Sequence, residues 1–465
     1  MVHARHPESI DCFLRLQGNQ FSGDCRYYAS GQRAPPTLAV VALGLQDASL
    51  TVRMQALAYA VWVSARPKSR NDMNDRVSDM MRHSHDPDRD GDTCSAKPMI
   101  RAIAFHLPQF HPIPENDEWW GKGFTEWTNV VKARPLFPGH HQPHLPADLG
   151  FYDLRLPEAR AAQAELAASY GIRGFCYYHY WFNGRRLLGR PLDEILSSGR
   201  PDFPFCLCWA NESWTRGWLG QDQNVLISQN YTADDESIHA QWLANAFADR
   251  RYLRKDGRAI FLVYRPGNLP EPKRLVEIIR TACNKNGDRD PYLIAVDAHH
   301  VGRDFRDDGF DVTLAFEPQL GALPGAFDDA FSLRKAWRNL RVGVMSAKLK
   351  VYDYTEARQR MLSLPRPFPT IPCVFVGWDN TPRRGRNGLI MVNSSPQAFR
   401  NALEAEVAKL RPSSDGDPIL FINAWNEWAE GNHLEPCQKW CSQHLEVVRE
   451  ALGMVTESQR PHRYP

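Results

Sequence analysis

The sequence predicts an α/β fold: a (β/α)8 TIM barrel preceded by a poorly ordered N-terminal extension. Three observations point there. Eight short apolar, β-branched or aromatic runs follow residue 100, and amphipathic stretches fill most of the gaps between them. No G-x-G-x-x-G follows the first run, as it would in an open dinucleotide-binding sheet.

The first 97 residues are rich in Arg, His, Asp and Ser, show little periodicity and end in the polar stretch 69–97. They read as disordered, as a small appendage, or as an artefact upstream of a natural start at Met99. The barrel is expected over 98–455, with a tail at 456–465. The expected strands are Ala102–Leu107, Gly174–His179, Pro204–Trp209, Ala259–Tyr264, Tyr292–Val296, Val312–Phe316, Pro372–Val376 and Ile419–Asn423. The expected helices between or after them are Pro157–Tyr170, Asp234–Asp249, Glu271–Asn284, Pro396–Leu410 and Gln438–Leu452.

Hydrophobic content of 43% and charged content of 24% are those of an ordinary soluble globular chain. A net charge of +2, without a long basic run, gives no reason to expect a nucleic-acid partner. The most apolar early stretch, Thr37 to Val63, is broken by Gln46, Asp47, Arg53 and Gln55, which argues against stable membrane insertion. Cys176, Cys206, Cys208 and Cys373 lie in strand-like runs and read as buried free thiols in a reducing, cytoplasmic compartment.

Barrel enzymes place their chemistry on the loops after the C-terminal ends of the strands. Those ends read HLPQFHP, YYHYWFNG, WANESW, YRPG, DAHH, FEP, GWDN and NAWNEWAEG. Nearly all combine an aromatic with an acid, an amide or a His. Flat rings can cover a sugar's C–H face while the polar groups meet its hydroxyls. The first end and the segment after it offer His106, Gln109 and Trp127 as sugar contacts. The second offers Tyr178, His179, Tyr180 and Trp181, and the third Trp209, Asn211 and Glu212. The seventh offers Trp378 and Asp379, and the eighth Asn426 and Trp428. Cleavage of a glycosidic bond usually needs two carboxylates, and Glu427 and Glu430 are the leading pair. Read locally, they fit a helix N-terminus equally well. Glu212 is the rival; Glu126, Asp297, Glu317 and Asp379 are second-line candidates.

Five segments carry a resemblance: AFHLPQFHPIPENDEWWGKGFTEWTNV, RPLFPGHHQPHLPADLGFYDLR, GFCYYHYWFNGRRLL, FPFCLCWANESWTR and NAWNEWAEGNHLEP. In this order they resemble the WbsX-like domain, a relative of glycoside hydrolase family 99 common in polysaccharide and O-antigen gene clusters. The resemblance covers roughly residues 100–452. It implies a (β/α)8 barrel acting on α-mannosidic polysaccharide with retention of configuration, without a metal or other cofactor. It makes Glu427 the base that deprotonates O2 and Glu430 the acid on the leaving oxygen. The chain departs from the expected pattern at Asn432, in place of Thr, and at Cys437, in place of an acid. Some members are labelled glycosyltransferases, so a metal-independent transferase is the second reading. A barrel that binds carbohydrate without turnover is the third.

Overall fold

A computed structural model describes residues 100–216, 221–298, 302–327, 333–341, 344, 348–410 and 417–453. It also describes the backbone of four short strands, Val2–Arg5, Ile10–Gln17, Gln20–Ser22 and Cys25–Tyr27, paired antiparallel. The remainder of 1–97, and with it the expectation for that extension, lies outside the described residues, as does the tail from 454.

Eight parallel strands close on themselves: β1 (Arg101–His106), β2 (Ile172–Phe182), β3 (Phe205–Trp209), β4 (Arg258–Val263), β5 (Tyr292–Val296), β6 (Val312–Ala315), β7 (Thr370–Phe375) and β8 (Ile419–Asn423). Each pairs with the next, and β8 pairs with β1, Phe421 opposite Ile103. All eight expected runs are strands. Their near-continuous apolar character follows from burial on both faces, lumen and helix layer.

The helices are α1 (Pro114–Trp120), α2 (Glu126–Lys132), α3 (Pro157–Ser169), α4 (Arg190–Ser198), α5 (Ala233–Phe247), α6 (Pro272–Lys285), α7 (Leu333–Arg341), α8 (Tyr354–Leu362), α9 (Thr381–Arg384), α10 (Pro396–Val407) and α11 (Gln443–Ala451). Pro157, Pro272 and Pro396 open α3, α6 and α10, where a missing N–H costs nothing. Thr232 and Ser395 cap α5 and α10 by accepting from Asp235 N and Ala398 N. The last helix begins at Gln443 rather than Gln438, because the chain first makes a tight backbone turn in which Cys441 N donates to Cys437 O at 2.7 Å.

Strand alternation decides what enters the lumen. Phe105 of β1 meets Phe316 and Phe421 at ring-centroid distances of 5.2 and 5.4 Å. Cys176, Cys206, Cys208 and Cys373 are buried free thiols, as expected. Outside the ring, a small sheet of Lys350–Asp353, Leu389–Val392 and Trp378–Asp379 packs its own apolar cluster with Tyr354 and Phe375. Among the described residues no helix is long and apolar enough to cross a membrane.

Candidate active site

The rim is organised by an arginine. After β7 the chain runs through Trp378 and Asp379 into α9, a single turn that presents Arg383. Asp379 fixes that turn. Its Oδ1 accepts from Thr381 N (3.0 Å) and Thr381 Oγ1 (2.6 Å), and its Oδ2 from Gln142 Nε2 (2.6 Å) with His140 Nε2 at 2.7 Å. Burial alone would raise the Asp379 carboxyl; these partners hold it below its ordinary value.

The Arg383 guanidinium holds three carboxylates. Its Nε and Nη2 lie 2.8 and 2.5 Å from Glu126 Oε1, Nη2 lies 3.1 Å from Glu427 Oε2, and Nη1 lies 2.6 Å from Glu430 Oε1. Glu126 is wholly buried, and Glu427 is 7% exposed. Carboxylates crowded round one guanidinium favour a shared proton on the pair Glu427 and Glu430. Burial, then repulsion from Glu430 and Glu126, pushes Glu427 up to about 8 against the pull of Arg383. Burial likewise raises Glu430. Arg383 is held well above its usual value: burial opposes its charge, and the surrounding carboxylates outweigh that.

The two leading acids are not at the start of a helix. Asn426–Glu427 pairs with Asn432–His433 as a short antiparallel bridge, and Trp428–Glu430 forms one 3-10 turn between them. Gly431 closes that turn at φ +59°, with Asp379 Cβ 3.1 Å from where a Cβ would stand. The helix-dipole reading of these acids therefore falls.

The other candidates divide by strand parity. Tyr178 and Tyr180 lie on the lumen side: Tyr178 stacks on Phe105 at 5.5 Å, and both phenols are raised by burial and by nearby Glu427. Tyr264, just past β4, stands edge-on to Phe316 at 5.5 Å, and its phenol is raised by burial, then by the charges of Glu212 and Glu430. Glu212 is half-buried and accepts from Arg265 Nε at 2.8 Å.

The intervening residues of β2 and β3 face the helices, which corrects their expected place in the pocket. His179 Nε2 lies 2.9 Å from His239 Nε2 of α5, Trp181 donates to Asp235 of α5, and Trp209 sits edge-on to His239. His106, also a helix-side residue, lies 3.2 Å from Gln163 of α3, and burial lowers its pKa to about 4.

Six more residues make structural contacts. Asn426 accepts from Leu107 N at 2.7 Å and donates to Leu107 O at 3.0 Å. Asn211 does the same to Arg265, at 2.7 and 2.9 Å. Trp428 is buried, donates to Glu435 at 2.6 Å and stacks on His433 at 3.8 Å. Trp127, buried beside it, donates to Tyr152 O. Gln109 offers its carbonyl to Glu126 N at 2.9 Å and so seats α2. Trp378 packs in the side-sheet cluster. Asp297 lies 3.8 Å from Arg366; Glu317, 3.4 Å from Arg358, is pushed up to about 7 by burial. At the positions that depart from the expected motif, Asn432 accepts from Val376 N at 3.0 Å and Cys437 is buried beneath Trp428.

Arg383 was missing from the sequence-derived set. The signal was present: acids gathered at apolar strand ends require a counter-charge, and TPRR follows the GWDN end.

The C-terminal rim of this (β/α)8 barrel thus gathers three carboxylates round one guanidinium. The chain belongs to the family described as Glycosyltransferase WbsX, whose model matches residues 102–448. It is 43% identical over 352 residues to WxcX, an uncharacterized protein, from two strains of Xanthomonas campestris pv. campestris. That alignment covers 75% of this chain and 49% of theirs, so the chain spans about half the length of these relatives. Among solved structures it is similar to a GH99 endo-alpha-mannosidase from Bacteroides thetaiotaomicron, with 14% identity, a TM-score of 0.44, and coverage of 76% of this chain and 96% of that one. A glycoside hydrolase-like protein gives 12%, 0.46, 79% and 98%.

Proposed function

We propose that residues 98–455 form a retaining glycoside hydrolase-like enzyme that cleaves α-linked, mannose-type polysaccharide in surface-polysaccharide metabolism. One observation carries the reading: Glu427 and Glu430 share Arg383 in a buried site that raises both carboxyls. A sugar hydroxyl is a very weak acid, so a carboxylate pushed up to about 8 is a better base toward it than an ordinary Glu. In an α-mannoside O1 and O2 are axial and antiparallel. Glu427 takes the O2 proton, O2 attacks C1, the C1–O1 bond breaks, and Glu430 gives its proton to the departing oxygen. In the second half Glu430 takes a proton from water, the water oxygen attacks C1, the C1–O2 bond of the 1,2-anhydro sugar breaks, and Glu427 returns its proton to O2. Arg383 keeps both carboxyls in place, and Tyr178, Tyr180 and Tyr264 line the sugar's approach. The buried thiols support a cytoplasmic location.

The family description favours a second reading, transfer of the glycosyl group to a sugar hydroxyl rather than to water. The test compares wild type, Glu427→Gln and Glu430→Gln on α-mannan oligosaccharides and on nucleotide sugars with acceptor. Hydrolysis lost in both variants supports the first reading, and turnover only with a nucleotide sugar supports the second. Hydrolysis untouched by either change removes the site.

A further inference from the structure

A second concavity adjoins the rim, a cleft of about 1050 Å³ between α7, the side sheet and the segment around His140. Asp379 and Gly431 belong to its wall, and Gly431 directly follows Glu430. That volume lies at the upper end for small-molecule sites and has room for several sugar residues.

The lining is unlike that of the catalytic site. Arg334, Arg338 and Arg341 reach it from α7, Arg360 from α8, and Lys439 from the loop before α11. Its carboxylates are Asp353, Glu356 and Asp379. Two of these are committed elsewhere. Asp353 accepts from Thr355 N, Glu356 N and Asn393, and Asp379 from Gln142 and Thr381. Among the described residues no ion pair engages Arg334, Arg341, Arg360 or Lys439. Arg338 is held ready: Nε donates to Val351 O, Nη1 to Pro324 O, and the guanidinium lies 4.0 Å over the Tyr352 ring. Trp378 and Trp440 add aromatic surface. Burial lowers the pKa of His141 and brings His144 to about 3, so neither imidazole adds charge at neutral pH.

We infer that this cleft binds an anionic stretch of the glycan, sugar residues bearing carboxylate or phosphate groups, alongside the segment presented to Glu427 and Glu430. Four arginines and a lysine against three carboxylates leave the lining net positive and provide planar donors for such groups, and the aromatic rings supply stacking faces for the sugars between them. The assignment rests on the carbohydrate reading of the neighbouring site and names its substrate class: an acidic polysaccharide.

The experiment titrates the intact chain with three probes, an oligogalacturonate, a phosphorylated mannooligosaccharide and a neutral mannooligosaccharide, at low and high salt. It is repeated on the triple variant Arg334→Glu, Arg341→Glu, Arg360→Glu, whose side chains are all exposed. An acidic probe should bind at least about tenfold more tightly than the neutral one, and lose that advantage in salt and in the variant. The first two probes separate carboxylate from phosphate as the group read. Equal binding of acidic and neutral probes, or an unchanged variant with native circular dichroism, overturns the inference. Cleavage of neutral glycan that depends on Glu427 but shows no acidic preference leaves the proposed function standing and removes this one. Salt-sensitive acidic binding without any glutamate-dependent turnover does the reverse.

Discussion

The ends of β3 and β8 are built alike. Each carries an Asn–Glu pair, Asn211–Glu212 and Asn426–Glu427. In both, the Asn amide bonds the N–H and C=O of a residue after a neighbouring strand, with N–H contacts of 2.7 Å in each case. In both, the Glu meets an arginine. Yet the Glu212 side chain is 42% exposed against one guanidinium, while Glu427 is buried and shares its guanidinium with two further carboxylates. The Asn–Glu pattern thus specifies a clamp and a direction; burial and charge crowding raise the proton affinity of Glu427.

The largest effect expected from breaking this asymmetry is on turnover. Glu427→Gln and Glu430→Gln should each lower kcat by about 10²–10⁴-fold with the fold intact, read by steady-state rates on an α-mannan oligosaccharide. Glu427 must be ionised to act as base, so kcat/KM in the wild type should fall as pH drops through about 8, well above an ordinary carboxylate limb. A limb near 4.5 would mean that Glu427 is not the base.

Arg383→Gln should cost about 3–5 kcal/mol of stability, since it strands three buried carboxylates. It also removes the cation that lowers Glu427, so any surviving activity should show its acid limb displaced to higher pH. Denaturant titration and a pH profile measure the two.

The clamps should behave as equals in stability but not in activity. Asn211→Ala and Asn426→Ala each orphan two backbone groups, at about 1–3 kcal/mol apiece. Only Asn426→Ala should also lower kcat, because Glu427 follows it. Smallest of all, Glu212→Gln should change stability by less than about 1 kcal/mol and turnover by no more than a few fold. A loss matching that of Glu427→Gln would mean that exposure does not separate the two acids.

The strands were legible because each is a short apolar run bounded by turn residues, and barrel strands buried on both faces tolerate little else. That same burial hid the parity of β2. In YYHYWF both sets of alternating residues are aromatic and apolar enough to be inside, so the sequence does not say that Tyr178 and Tyr180 face the lumen while His179 and Trp181 face α5. Glu427 and Glu430 were legible as acids among tryptophans at a strand end. Arg383 was not, because its position depends on Asp379 being gripped by His140 and Gln142, 239 and 237 residues away in sequence.

The Asn426 clamp spans 319 residues to Leu107, across the seam where β8 meets β1. Glu126 enters from one side of that seam and Glu427 from the other. The carboxylate cluster is therefore completed across that seam, Glu126 joining Glu427, Glu430 and Arg383. If the proposed roles of Glu427 and Glu430 hold, glutamate-dependent turnover during refolding should first appear when the seam between β8 and β1 closes.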